Sequence, residues 1–344
     1  MVYPIARFLL IALFALATRS VAQVPEIRYG GEVPPEVDLI YERGLAWLAG
    51  NQRDEGNWQG GHAGGGVDGL CVMAFLASGE DPNYGRYAEN VRRALRYMIN
   101  QQDAESGYLP SSMYHHGFAM LALSEAYGAV DEALLWSGAG KEQEKPRGLA
   151  EALRLAIGCA AAAQKKNRLG GWRYTPDSSD ADTSVTGAVL MGLLAARNAG
   201  LAVPDETVSA ALEYMRRSTG RDGSVAYTGG FGGMGESMNR SAIATLVAAV
   251  GKQKDESKFP ATLKHLTERL DHRESSYKEY FRYYMAQALF QGDYEAWHKW
   301  NAGLVRQLSE EQAADGSFDN GPYSTAMALL ALGLNYRFLP IYER

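Results

Sequence analysis

Asp180 and Asp182 stand two residues apart in "SSDADTSVTG", just ahead of "TSVTGAVLMGLLAA", a run without charge. Carboxyls at the start of so apolar a helix can do two things. One is to cap the helix, accepting hydrogen bonds from first-turn N–H groups. The other is acid chemistry, in which a dry pocket and a second carboxylate keep one acid protonated until it meets a substrate. Asp182 occupies the N-cap position. Asp180 lies further out, where Asp often holds a turn through its own backbone. His115 and His116 open a second apolar stretch, "YHHGFAMLALSEAYG". Neighbours on a helix point about 100° apart, so only one of them can face inward. His116, beside Gly117, is expected inside, where it would form an acid–base couple with Asp180 or Asp182 near neutral pH. Glu236, Arg240, Tyr280, Arg282 and Tyr323 also fall at the starts of apolar stretches. Trp172 and Tyr174 sit in the turn before Asp180. With His115, these residues form the expected substrate-binding set.

The elements that must place these groups repeat along the chain. Each unit is a helix ending near Gln, a Gly-aromatic turn, and a second helix. The units read "QRDEGNW" with Gln52, Gly56 and Trp58; "QQDAESGY" with Gln102, Gly107 and Tyr108; "QKKNRLGGW" with Gln164, Gly171 and Trp172; "RDGSVAY" with Gly223 and Tyr227; and "QAADGSF" with Gln312, Gly316 and Phe318. A further pair, "FPATLKHLTERLDH" and "YKEYFRYYMAQALFQ", has a degenerate turn and brings the count to six. The first helix of each pair is amphipathic, and the second is apolar nearly all round. A helix apolar all round must be buried on every side. Six alternating pairs satisfy this when they close into a ring of inner helices inside a ring of outer ones. All inner helices then start at one end, and their first residues converge on one mouth. The N-terminal ends of their dipoles favour an anion there.

The Gln-x-x-x-Gly-x-Trp-type repeat resembles that of the squalene cyclase and protein prenyltransferase superfamily. "GGWRYTPDSSDADTSVTG", "YHHGFAMLALSEAYG" and "YRFLPIYER" look like a secreted bacterial branch of it without an assigned activity. The resemblance covers nearly the whole mature chain and implies an all-α (α/α)6 toroid. It implies two chemistries, and the chain departs from both. Class II terpene cyclases protonate an alkene with the middle acid of Asp-x-Asp-Asp. Laying Asp180 and Asp182 on the first two acids leaves Thr183 in place of the third; laying Asp182 on the third leaves Ala181 as the donor. Prenyltransferases hold zinc with Asp, Cys and His, for which Asp68, Cys71 and His116 are the nearest equivalents. Their spacing is looser than the family's Asp-x-Cys, and Leu70, Val72 and Met73 around Cys71 favour a core thiol. No metal or cofactor is expected.

The remaining features set compartment and partners. Arg7, the apolar run "FLLIALFALA" and "SVA" before Gln23 read as a signal peptide over 1–22. A linker over 23–37 and the toroid over 38–344 follow. No later stretch is long enough to span a membrane, so a secreted or periplasmic, monomeric protein is expected. A formal net charge of −6 without a basic run argues against nucleic acid. The two cysteines, Cys71 and Cys159, read as buried free thiols. Three function classes follow: acid chemistry or binding of an apolar, isoprenoid-type ligand; a carbohydrate lyase or hydrolase; and a non-catalytic envelope scaffold. An apolar aromatic cavity favours the first, an open polar groove the second, and a filled barrel the third.

Overall fold

Helix patterning sorts the chain into two kinds of rod. The computed structural model describes residues 33–137, 147–228, 237–254, 256–274 and 276–342. In chain order the helices are α1 (Pro35–Gly50), α2 (Gly65–Ala77), α3 (Ala88–Gln101), α4 (Met113–Ala126), the short α5 (Glu132–Leu135), α6 (Leu149–Gln164), α7 (Thr183–Asn198), α8 (Asp205–Ser218), α9 (Met238–Val250), α10 (Lys258–Thr267), α11 (Lys278–Gly292), α12 (Tyr294–Glu311) and α13 (Pro322–Leu332). Among the described residues there is no β-strand, only two isolated bridges. The first helix starts at Pro35, ahead of the expected boundary at residue 38. The segment read as a signal peptide lies outside the described residues.

Helix α3 buries Val91, Ala94, Leu95, Met98 and Ile99 along one stripe, whereas α2 is buried at every position from Gly66 to Ala77. Such an inner helix needs partners all round, and the packing supplies them. Helix α2 packs on α4, α4 on α7, α7 on α9, α9 on α11, α11 on α13, and α13 returns to α2. The amphipathic helices α1, α3, α6, α8, α10 and α12 pack around this ring. The fold is the expected (α/α)6 toroid of six hairpins. Small residues let the inner helices approach closely: a Cβ on Gly117 of α4 would lie 2.6 Å from the Ala188 backbone of α7.

The turns carry the repeat. Gln52, Gln102, Gln164 and Gln312 each donate Nε2–H bonds to a carbonyl of their own turn and to a carbonyl on the next outer helix. The last of these closes the ring, since Gln312 reaches Ile40 of α1 at 2.9 Å. Gly316 has φ +95°, and a Cβ there would fall 2.4 Å from the Arg43 carbonyl oxygen. Only glycine fits that approach. In the third unit the residue in this role is Gly170, at φ +87°, and not Gly171 as the sequence pattern suggested. Two residues after each such glycine comes a buried side chain: Trp58, Leu109, Trp172, Val225 and Phe318, all at most 2% exposed. Leu109 and Val225 therefore hold the places assigned from sequence to Tyr108 and Tyr227.

The lumen is not hollow throughout. Helices α4 and α11 lie opposite each other in the ring, yet Phe118 of α4 meets Tyr283 of α11 with ring centroids 6.0 Å apart. Tyr284 packs against Tyr283 at 4.9 Å. These rings plug the barrel below its mouth.

Candidate functional site

The starts of the inner helices divide by position. Positions two, three and six face the lumen: Tyr114, His115 and Phe118 on α4, Ser184 and Val185 on α7, Asn239 and Arg240 on α9, Val67 and Leu70 on α2. Position four faces the outer ring and fastens the preceding turn. Asp68 Oδ1, His116 Nδ1, Thr186 Oγ1 and Thr325 Oγ1 accept from the backbone N–H groups of Trp58, Leu109, Trp172 and Phe318 at 3.0, 3.1, 3.0 and 3.0 Å. On α9 the equivalent Ser241 donates to the Gly223 carbonyl at 3.1 Å. On α11 position four is Phe281, which has no polar group to offer, and here the turn is the degenerate one.

The lumen-facing residues enclose a half-open cavity of about 660 Å³ at the mouth. Six tyrosines line it: Tyr114, Tyr174, Tyr227, Tyr277, Tyr280 and Tyr323. Tyr114 and Tyr280 approach across the ring at 5.9 Å. Burial raises the phenols of Tyr114, Tyr280 and Tyr323 above their ordinary range, so they stay protonated and neutral. At the rim, Tyr174 and Tyr227 from successive turns share a 2.7 Å hydrogen bond between their hydroxyls. Arg173 lies over both rings, at 5.6 and 5.7 Å. Arg240 is 9% exposed and is fixed by its Nε–H bond to the Val225 carbonyl at 2.8 Å. His62 stands 4.8 Å from the ring of Tyr323. His115 Nδ1 accepts from the Gly66 N–H at 3.2 Å, which puts the proton of the neutral ring on Nε2. Burial lowers the His115 pKa, so neutral is its ordinary state. No carboxylate lines the cavity among the described residues. Its polar groups are chiefly uncharged donors set among apolar surfaces.

Several residues expected at the site lie elsewhere. His116 is fully enclosed: Nδ1 accepts from Leu109, and Nε2 donates to the Ala156 carbonyl at 3.1 Å. Burial lowers its pKa to about 4 against the opposing pull of that carbonyl. His116 is a neutral turn fastener, and His115 is the one that faces the lumen, the reverse of the expectation. Asp182 is the N-cap of α7, accepting from Val185 N–H at 2.8 Å, and is 0% exposed. Burial raises its pKa to about 6, while the Val185 N–H and Arg173 pull it down. Its carboxyl is sealed beneath the turn, with Arg173 Nε 3.9 Å away. Asp180 is exposed and bonded to Arg173 at 2.6 Å. Neither acid lines the cavity, and neither meets His116.

Trp172 is 1% exposed, its indole N–H spent on the Ala160 carbonyl at 2.8 Å, so it secures a turn and offers no stacking face. Arg282 points outward into a separate groove of about 690 Å³ between α10 and α12, paired with Glu311 at 2.6 Å and Glu279 at 3.3 Å. Asp68, Cys71 and His116 do not assemble. Asp68 holds Trp58, the Cys71 thiol points at the Pro322 carbonyl, and His116 holds Leu109. Both cysteines are buried free thiols. Glu236 lies outside the described residues. Tyr174, Arg240, Tyr280, Tyr323 and His115 do come together on the cavity wall, joined by Tyr114, Tyr227, Tyr277 and Phe118, which the sequence reading left out of the binding set.

No family model matches the chain, and no curated protein does. Solved structures do. A variant of the type II terpene cyclase MstE from Scytonema, in complex with geranylgeranyl dihydroxybenzoate, aligns with a TM-score of 0.61 at 16% identity, over 89% of this chain and 99% of that one. An inactive variant of the α-1,6-mannanase GH76A of Salegentibacter sp. HEL1_6, in complex with α-1,6-mannotriose, aligns with a TM-score of 0.59 at 9% identity, over 87% and 99%. A protein from Actinoplanes follows with 0.56 at 15% identity, over 86% and 98%. The chain shares the α/α toroid fold of these structures. At these identities the likeness concerns architecture, and function must be argued from the site. Among the described residues no helix is long and apolar enough to cross a membrane.

Proposed function

We propose that the mouth cavity binds a small molecule with an apolar, isoprenoid-like body and an oxygen-bearing head, and that the protein acts through this binding. The observation that carries the reading is the lining: six tyrosines with Val67, Leu70, Phe118 and Val185 around about 660 Å³. That volume falls within the range of ligand pockets, roughly 300–1,000 Å³. Aromatic faces suit a hydrocarbon chain, and phenol, imidazole and guanidinium donors suit an oxygen acceptor. Geranylgeranyl dihydroxybenzoate, the substrate bound to the Scytonema cyclase variant, has this build. Acid-driven cyclisation is disfavoured by the geometry of Asp182, whose carboxyl caps α7 and is closed off from the lumen. Export through residues 1–22 and a monomeric state belong to this reading.

A glycan is the second reading. It rests on Tyr174 and Tyr277, which stand 49% and 68% exposed at the rim, where a sugar ring could stack. Calorimetric titration with farnesol and with α-1,6-mannotriose separates the two. The first reading expects farnesol to bind and mannotriose not to. Ser184→Phe, which sets a ring into the cavity from a partly exposed position, should weaken farnesol at least about tenfold, the loss of roughly 1.4 kcal/mol. Binding of mannotriose alone, lost in Tyr174→Ala, would transfer the site to the glycan reading.

A further inference from the structure

Four turns are fastened in the same way, by a side chain at position four of an inner helix that accepts from the backbone N–H two residues after the turn glycine. In the third and sixth hairpins that side chain is a threonine, and in the second a neutral histidine. Only in the first is it an acid. Asp68 is 1% exposed; Oδ1 holds the Trp58 N–H at 3.0 Å, and Oδ2 is buried without a hydrogen-bond partner. An ionised carboxylate needs several donors to replace water, and this one has a single backbone donor.

The titratable groups that face it offer no compensation. On its own helix Cys71 is buried and its thiol raised, first by burial and then by Asp68 itself. On α3 the Tyr97 phenol is raised by burial and by the Asp68 charge, with Glu55 of the turn adding to it. Arg93 of α3 turns instead to Gln52 Oε1 at 2.7 Å. On α13 the Pro322 carbonyl is turned to the Cys71 thiol. No ion pair to Asp68 occurs among the described residues. Burial accordingly lifts its pKa to about 7, against the downward pull of the Trp58 N–H.

The fastened turn also builds part of the mouth. His62 lies in it and contacts Tyr323, and Gly66, just before Asp68, donates to His115. We propose that Asp68 makes the first turn a pH-sensitive latch, closed while the acid is protonated and progressively looser as pH rises, so that the His62–His115 wall of the cavity opens in neutral solution and tightens in acid.

The molecule contains its own control. Phe318 is held by Thr325 at the same 3.0 Å, and threonine does not titrate. Hydrogen exchange on the full chain, resolved at the Trp58 and Phe318 amides, removes the intrinsic pH dependence when the two are compared. The linkage sign is fixed. A native pKa above the open-state value means that the closed form binds more protons, so the opening constant rises between the two pKa values and levels off above the native one. The Trp58-to-Phe318 opening ratio should therefore climb by up to about tenfold per pH unit from pH 5 to pH 7, then flatten. Asp68→Thr, which copies the third and sixth hairpins, should hold the ratio constant. Asp68→Asn should do the same and serves if the threonine variant does not fold. A wild-type ratio unchanged from pH 5 to pH 8, or one that climbs equally in both variants, overturns the latch.

Discussion

The cavity wall and the layer of turn fasteners are built by adjacent residues of the same helices, and they meet opposite demands. His115 and His116 show the contrast most sharply. His116 has both ring nitrogens committed and no solvent contact, and its removal would strand two backbone groups in the core. His115 has one nitrogen committed and the other directed to a space a ligand can enter. The fasteners on four inner helices are polar and take up the same backbone N–H from hairpin to hairpin. The wall residues are aromatic, partly unsatisfied and different on each helix. Repetition in space marks what holds this protein together, and departure from repetition marks what it presents to a ligand.

The comparison can be broken first at the turn glycines. Gly316→Ala forces a side chain into positive φ and onto the Arg43 carbonyl, so it should cost about 2–4 kcal/mol in denaturant unfolding. A cost below about 1 kcal/mol would mean that the turn relaxes freely and the fastening is loose. Next come the histidines. His116→Ala leaves the Leu109 N–H and the Ala156 carbonyl unpaired and should cost about 3 kcal/mol. His115→Ala should stay within about 1 kcal/mol of wild type while weakening the cavity ligand. Equal effects on stability would erase the distinction between the two layers.

The smallest expected effect concerns Asp182. Its pKa, raised from 3.8 to about 6 chiefly by burial, means that the native state holds the proton more tightly than the unfolded chain. The stability contributed by Asp182 should therefore fall as pH rises from about 4 to about 6 and be constant above, on top of the fall that Asp68 adds up to about pH 7. Asp182→Asn keeps an acceptor for the Val185 N–H and should make the slope between about pH 4 and pH 6 shallower in thermal melts, leaving the part that Asp68 contributes. Asp182→Ala loses the cap and should cost about 1 kcal/mol at pH 4. Neither change should abolish ligand binding, since the carboxyl does not line the cavity.

The architecture was legible because it is written in periodicity. Inner helices apolar on every side and outer helices apolar on one leave few solutions other than a closed double ring. The site was legible only in part. That two adjacent histidines diverge follows from helix geometry, but which one turns inward depends on where the helix begins. Ser112, whose Oγ accepts from the His115 N–H at 3.3 Å, sets that start. With the start known, position four is the fastener on four inner helices and the assignment reverses. Trp172 was open to the same correction, since an aromatic recurring in the same turn tracks the repeat. Arg282 could not be placed from sequence, because its hairpin lacks the regular turn and its partner Glu311 lies on the next outer helix. Tyr114, Tyr227 and Tyr277 carried a signal that was available: tyrosine accumulates around the mouth-end turns, on positions that do not repeat.

The hydrogen bond from Gln312 to Ile40 joins residues 272 positions apart. It is the clasp of a bracelet, and a clasp can be fastened only when both ends of the chain exist. During synthesis the first hairpins must wait, their inner faces bare along one edge, until the final hairpin leaves the ribosome. Premature termination would remove more than a sixth of the structure; it would leave two greasy edges with nothing to meet.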